Sequence, residues 1–490
     1  MKRLDKSITL AVERPVKVLQ YGEGNFLRGF VDYMIDVANE AGVFHGNVVI
    51  VKPIPYGNLD LFREQECQYS VSLRGNENGE SKVINRKITS ISEAIGAYEE
   101  YDKYMEYAKY PSLQFIVSNT TEAGIVYDET DSYYMKPPKT YPGKLTKFLH
   151  NRFLNFHGDK EKGLIIIPCE LIERNGETLR RCVMDFINLW NLEDEFRVWI
   201  EEACTFCSTL VDRIITGFPK DEAKECFEDL GYQDDLLVTG ELFGLWVIES
   251  ERDISKKFPL NQAGLPVIFT NDQRPYRERK VRILNGAHTS MVLASYLAGN
   301  DYVLESMKDP LIREFLTKTI YHEIIPTLTL SEEELRSFAD SVLERFENPF
   351  IKHSLLSISL NSVSKWKARC LPSFRDYIKK YDKLPLHLTF SIAALMSFYR
   401  SEEMSDHALI GYRDQDKYHI MDDTSVLEFF KENAGLSDDD FALAYLKNDK
   451  FFGEDMTGYP GLIQLLSSYL KEIRENGMRE ALKSILSPVK

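Results

Sequence analysis

Lys280, Asn285 and His288 place an amine, a carboxamide and an imidazole within one nine-residue segment. An amine whose pKa is drawn down from its ordinary value of about 10.4 can exchange a proton with a sugar oxygen near neutral pH. A carboxamide N–H can donate to the negative charge that develops on a carbonyl oxygen during reduction, and an imidazole can hold that oxygen or an adjacent hydroxyl. If the segment is α-helical from Lys280, the three residues fall within an arc of roughly 140°, with Leu284 packing beneath them. The same residues also suit a plain helix start, with solvated Lys280 and Arg282, a break at Asn285-Gly286 and a core histidine. Asp212, followed by Arg213, is either a distant carboxylate partner for this chemistry or half of an ordinary salt bridge.

A carbonyl reduction needs a hydride source, and the N-terminal region has the elements to bind one. Residues 16–20 read as a strand, Gly22 and Gly24 follow at once, and Phe26, Phe30, Met34 and Val37 recur at helical spacing. One glycine permits a tight turn and the other lets backbone approach a pyrophosphate at the positive end of the helix, flanked here by Asn25 and Phe26. Leu27 stands where a third glycine is usual, and the next glycine is Gly29. A second strand over 48–51 ends at Lys52-Pro53, without the acidic residue that commonly takes the adenosine ribose of NAD. Lys52 is therefore either a neutraliser of a cofactor phosphate, which keeps NADP open, or a solvated strand-end lysine. Asn119, Thr120 and Thr121 follow a strand over 113–117 and suit either a nicotinamide or ribose pocket or simple turn capping.

Further strands are expected at 164–167 and 206–210, a hairpin over 69–88 turning at 75–79, and a helix-like stretch over 93–109. From about residue 280 the pattern becomes helical, over 281–297, 301–320, 331–346, 383–398, 425–435, 438–447 and 460–486. The polar, proline-bearing segment 271–279 is the expected crossing. The fold class is α/β, with an elaborated Rossmann-like N-terminal domain over 1–275 and a mostly α-helical substrate and catalytic domain over 276–490.

Sixty Lys and Arg against 76 Asp and Glu leave a formal net charge of −16, which argues against a nucleic-acid partner. Residues 1–15 lack the apolar run of a signal peptide and no later run approaches a membrane span, so a soluble cytoplasmic protein is expected, with no obligate protein partner and a monomer as the simplest state. The seven cysteines show no repeated metal spacing, and Cys204 and Cys207, although formally CxxC, lie in an apolar run that favours structural thiols.

Three segments together carry a resemblance: Gly22 through Arg28, residues 211–214 around Asp212 and Arg213, and Lys280 through His288. They resemble the long-chain mannitol dehydrogenase family of polyol and sugar-acid dehydrogenases over nearly the whole chain. The resemblance implies NAD as cofactor, no catalytic metal, Lys280 as the general acid–base, Asn285 at the reacting oxygen, and His288 and Asp212 in support. Polyol members carry an asparagine oxyanion donor where this chain has Leu171, within the segment from Cys169 to Gly176, and leucine cannot donate that bond. The departure points to the sugar-acid branch, whose small-molecule substrate is a keto-sugar acid. Glu170, Arg213, Lys365 and Arg369 are then substrate-binding candidates, the last two from a basic run, 361–369, able to compensate a carboxylate; a structural carboxylate at Glu170 and a solvated charged helix face over 361–369 are the plain alternatives. A reductase of a different keto-sugar acid, a polyol dehydrogenase and a non-catalytic sensor of the same ligands are the competing readings.

Overall fold

The computed structural model describes residues 1–487 except Leu10, Asn78 and Asp406. The chain divides into two units, one formed by residues 1–75 and 81–273 and the other by 76–80 and 274 onward.

In the first unit, β1 (Val16–Tyr21), β2 (Asn47–Lys52), β3 (Ile91–Gly96), β4 (Phe115–Ser118), β5 (Ile165–Pro168) and β6 (Thr205–Phe206) form a parallel sheet in the order β3-β2-β1-β4-β5-β6. That order is the one found in dinucleotide-binding folds, with its reversal between β1 and β4. Successive side chains along a strand face opposite ways. Val18, Ile50, Val117 and Ile167 accordingly pack with Phe30 and Met34 of the helix over 25–40. Leu19, Val49, Ile116 and Ile166 pack with Leu145 and Phe148 of helix Tyr141–Asn155 and with Leu179 and Val183 of helix Asn175–Leu189. Burial on both faces explains why residues 48–51, 115–117 and 165–167 are unbroken apolar runs rather than alternating ones.

Two expectations fail in this unit. The stretch 93–109 is not one helix: Ile91–Gly96 is β3, and helix starts only at Tyr101. Pairing with β2 buries Ile91, Ala94 and Ile95, so tertiary contact overrides the local helical pattern. The run over 206–210 is split between two sheets. Cys207 N–H still donates to Ile166 O at 2.8 Å, and Ser208–Asp212 then pairs antiparallel with Leu245–Glu249. The hairpin is present as strands Tyr69–Glu77 and Glu80–Ile88, although Asn78 in its turn lies outside the described residues.

In the second unit, Leu386–Tyr399 is apolar on nearly every side, as a central helix must be, and packs against Gly286–Leu297 and Leu462–Asn476. Helix already begins at Arg274, inside the expected crossing, with Pro275 in the first turn where its missing N–H breaks no bond. Gly477, at φ 82°, divides the expected helix 460–486 into Leu462–Asn476 and Met478–Leu486. A small antiparallel sheet of Met404–Ser405, Ala408–Arg413 and Asp416–Ile420 interrupts the helices and was not foreseen. Among the described residues, no helix is long and apolar enough to cross a membrane.

Candidate active site

Gly22 lies directly after β1, at φ 121°, where a Cβ would sit 3.0 Å from Asn119 O. Only glycine adopts this backbone at little cost, so the turn requires it. Gly24 has an ordinary extended conformation, and a Cβ there would meet nothing within 4 Å. The rim of the turn is thus open at the amino end of the helix over 25–40, as a backbone-bound pyrophosphate needs. The third glycine's task, close helix packing, falls to Gly29 rather than position 27: a Cβ at Gly29 would meet Ile215 at 2.7 Å and Val238 at 3.1 Å. Asn25 is exposed, its Oδ1 accepting from Arg28 Nη2 at 2.6 Å, while the Phe26 ring stacks on Phe30.

Behind the turn lies a network that local spacing does not reveal. Gln20 Nε2 donates to Gly22 O and to Asp32 Oδ2, both at 3.2 Å, and Tyr69 O–H donates to the same Asp32 oxygen at 2.7 Å. Asp32 falls in a π-helical turn, Arg28–Asp32, and is fully buried. Burial pushes its carboxyl up to about 7 from about 3.8. The folded protein therefore keeps a proton at Asp32 that the unfolded chain releases, and the contribution of Asp32 to stability falls as pH rises from about 4 to about 7, then levels off. Asp32→Asn is expected to flatten that slope. Melting temperatures between pH 4 and 8 check this, and equal slopes in wild type and variant contradict it.

At the reversal of strand order, Asn119 N–H donates to Tyr21 O at 3.1 Å and its side chain to Cys169 O at 3.4 Å. Thr120 N–H and hydroxyl both donate to Glu170 Oε1 at 2.9 Å, and Ser118 Oγ to Glu170 Oε2 at 3.1 Å. Glu170, a candidate for either a substrate or a structural carboxylate, is buried with both oxygens engaged, and burial raises its pKa. Its carboxylate positions the loop carrying Asn119 and Thr120. Asn175 locks the same corner, accepting from Thr209 N–H at 2.8 Å and donating to Pro168 O and Glu170 O. Leu171 is 65% exposed.

Arg213, another substrate-binding candidate, follows strand Ser208–Asp212. Its guanidinium is buried, donating to Phe243 O at 2.8 Å and to Gly29 O and Leu242 O at 3.2 Å, with the ring of Tyr33 5.2 Å away. Burial draws its pKa down to about 10. These hydrogen bonds hold backbone at residues 29, 242 and 243 and so brace the helix over 25–40. Asp212 is buried at the end of its strand, opposite Leu245. Burial pushes the Cys204 and Cys207 thiols up to about 12, which fits structural thiols and not reactive ones.

In the second unit, Lys280, Asn285 and His288 lie on the continuous helix over 274–297, and Asn285-Gly286 does not break it. The segment is not α-helical from Lys280. Lys280–Asn285 is a π-helical turn in which Gly286 N–H reaches back five residues to Val281 O. Such a wider turn brings residues five apart, Lys280 and Asn285, closer to one face than the α-helical arc allows. Gly286 also admits the neighbouring helix: a Cβ there would lie 3.3 Å from Arg369 O.

His288 stacks on Phe346, with ring centroids 4.0 Å apart, and meets His353 edge-on at 5.2 Å. Its Nε2 is enclosed and has no hydrogen-bond partner among the described residues. Burial, reinforced by His353, Arg345, Arg369 and Lys365, holds its pKa well below the usual value, so the ring is neutral. Lys365 and Arg369, four residues apart on helix Ser362–Arg369, share a face. Lys365 Nζ donates to Ile358 O at 2.8 Å and Arg369 Nη1 to Thr289 Oγ1 at 3.3 Å. Arg345, Phe346 and His353 had no signature in the sequence, because they approach His288 only through packing.

Two family models divide the chain. The mannitol dehydrogenase Rossmann domain matches residues 16–262, and the mannitol dehydrogenase C-terminal domain matches residues 272–474. An altronate oxidoreductase of Bacillus subtilis (strain 168) is 44% identical over 487 residues, covering 99% of this chain and 98% of the relative. One of Escherichia coli O7:K1 is 41% identical over 492 residues, covering 99% and 100%. Among solved structures, a substrate-free D-sorbitol dehydrogenase superposes with TM-score 0.77 at 21% identity, over 98% of this chain and all of its own. Pseudomonas fluorescens mannitol 2-dehydrogenase, solved with NAD and D-mannitol, gives 0.65 at 20% identity over the whole of both chains. At such identities these two establish the fold alone.

Proposed function

The chain belongs to the mannitol dehydrogenase family, and from that membership we propose that it catalyses the reversible, NAD-dependent reduction of D-tagaturonate to D-altronate in hexuronate catabolism. The observation that carries the choice of a sugar acid is the placing of two cations beside His288: Lys365 and Arg369 share a face of helix Ser362–Arg369, and Arg369 Nη1 donates to Thr289 Oγ1, one residue from His288. In a protein of net charge −16, such a cluster suits a carboxylate and is surplus to an uncharged polyol.

The open rim at Gly24 and the strained turn at Gly22 suit the cofactor's pyrophosphate, with Asn25, Phe26, Asn119 and Thr120 around it. When bound, the nicotinamide gives or takes the hydride. Lys280 gives the proton to the carbonyl oxygen in reduction and its neutral amine takes it back in oxidation. Asn285 donates to the developing oxyanion, the donor that Leu171 cannot be. His288, held neutral and with Nε2 uncommitted, hydrogen-bonds an oxygen of the substrate instead of carrying charge. Asp212 is assigned the supporting carboxylate, and Lys365 and Arg369 the substrate carboxylate.

We place the enzyme in the cytoplasm, acting as a single chain. Seven buried, unpaired thiols support a reducing compartment. A matrix of NADH and NADPH against tagaturonate, fructuronate and fructose tests the assignment through nicotinamide absorbance. Tagaturonate with NADH is expected to give the highest kcat/KM. Turnover of fructose alone would reject the sugar-acid assignment, and ligand binding without turnover would make the protein a sensor.

A further inference from the structure

The end of β2 carries no acidic residue, yet the structure brings one there. Lys52, the last residue of β2, pairs in register with Gly96 at the end of β3. Its side chain is 2% exposed, and its ammonium is satisfied by Ile54 O at 3.0 Å, Tyr56 O at 3.2 Å and Glu99 Oε1 at 2.7 Å. Lys52 is thus neither a solvated lysine nor poised toward a phosphate, because its three donors are already engaged. Glu99, 46% exposed, lies three residues beyond β3, and a Cβ at Gly96 would stand 2.0 Å from its second carboxylate oxygen. The carboxylate therefore folds back over the strand end. Its hydrogen bond with Lys52 keeps its pKa below the usual carboxylate value, so it is charged at neutral pH. Tyr56, whose carbonyl the same lysine holds, is 70% exposed.

In sheets of this strand order, the adenosine half of a dinucleotide lies over the carboxyl ends of the strands on the β2 side of the reversal, and a carboxylate there binds the ribose diol. We infer that Glu99, oriented by the buried ammonium of Lys52 across two parallel strands, is that carboxylate, and that it sets the preference for NAD over NADP. Tyr56 supplies an aromatic face for the adenine at the same end. A 2′-phosphate would meet the Glu99 carboxylate with like charge, and Lys52 has no donor left to offset the repulsion. Lys52 acts through Glu99 and is a positioning residue. The inference rests on the nicotinamide reading proposed above.

The test is equilibrium binding of NADH and NADPH to the full chain, by nicotinamide fluorescence and calorimetry, without a sugar substrate. Glu99→Gln changes a partly exposed side chain, and circular dichroism checks that the fold is kept. The variant is expected to bind NADH about tenfold more weakly, the effect of one charge-assisted hydrogen bond, and NADPH more tightly than wild type. Glu99→Asp, which keeps the charge, should retain discrimination against NADPH. Unchanged dissociation constants for both nucleotides in Glu99→Gln would overturn the inference and leave the dehydrogenase assignment standing. Failure of the wild-type chain to bind either nucleotide would instead overturn the cofactor reading beneath it.

Discussion

Lys280→Met is expected to lower kcat by about a thousandfold in both reaction directions, the midrange effect of removing a general acid–base group. Methionine keeps the length and apolar stem of lysine, so loss of the proton-transferring amine is the main change. Lys280 belongs to the second unit, whereas Gly22, Gly24, Asn119 and Thr120 belong to the first. The NADH dissociation constant is accordingly expected to stay within about threefold of wild type, a difference below 1 kcal/mol. Single-turnover absorbance changes, followed with tagaturonate and NADH and then with altronate and NAD, check both directions. Undiminished turnover would remove Lys280 from the chemistry and transfer the proton to another group. His288 is a poor substitute, because burial and the surrounding cations keep its imidazole neutral.

Arg369→Met is expected to reduce kcat/KM for tagaturonate by roughly 10- to 100-fold, chiefly through KM. One charge-assisted contact to a carboxylate is worth about 1.5–3 kcal/mol, and a contact made equally in ground and transition states moves KM rather than kcat. Arg369→Lys should recover only part of the loss, since an ammonium supplies charge without the planar pair of donors. A second readout separates substrate contact from general damage. Arg369 is one of the charges depressing His288, so its removal should raise the imidazole pKa, measurable by NMR titration of the ring protons. An unchanged KM with an unchanged His288 titration would remove Arg369 from the site.

Both variants address residues visible in the sequence, and the reason is local. Strand, glycine turn and helix occupy consecutive residues from Val16 to Glu40, so their order and the need for glycine at 22 follow from short-range geometry. Lys280, Asn285 and His288 are likewise neighbours on one helix, and their chemistry is legible from residue type. Legibility ended where a side chain's partner lies far along the chain. Glu170 and Arg213 have the composition of substrate ligands, but Thr120 lies 50 residues from Glu170, and Gly29 lies 184 from Arg213. Nothing in either local sequence announces that those charges are already satisfied.

Sequence alone determined the α/β and helical halves, the glycine turn and the chemical types at 280, 285 and 288, because each depends on periodicity or residue identity within a few turns. Tertiary structure alone decided three further points. Pairing with β2 made a strand of Ile91–Gly96. The π-helical turn re-spaced Lys280 and Asn285, an adjustment of backbone hydrogen bonding that the side-chain pattern does not encode. Around His288, the long-range packing of Phe346, His353 and the basic helix Ser362–Arg369 fixed the imidazole as neutral, since the energy of a buried charge depends on everything that surrounds it, not on its neighbours in the chain.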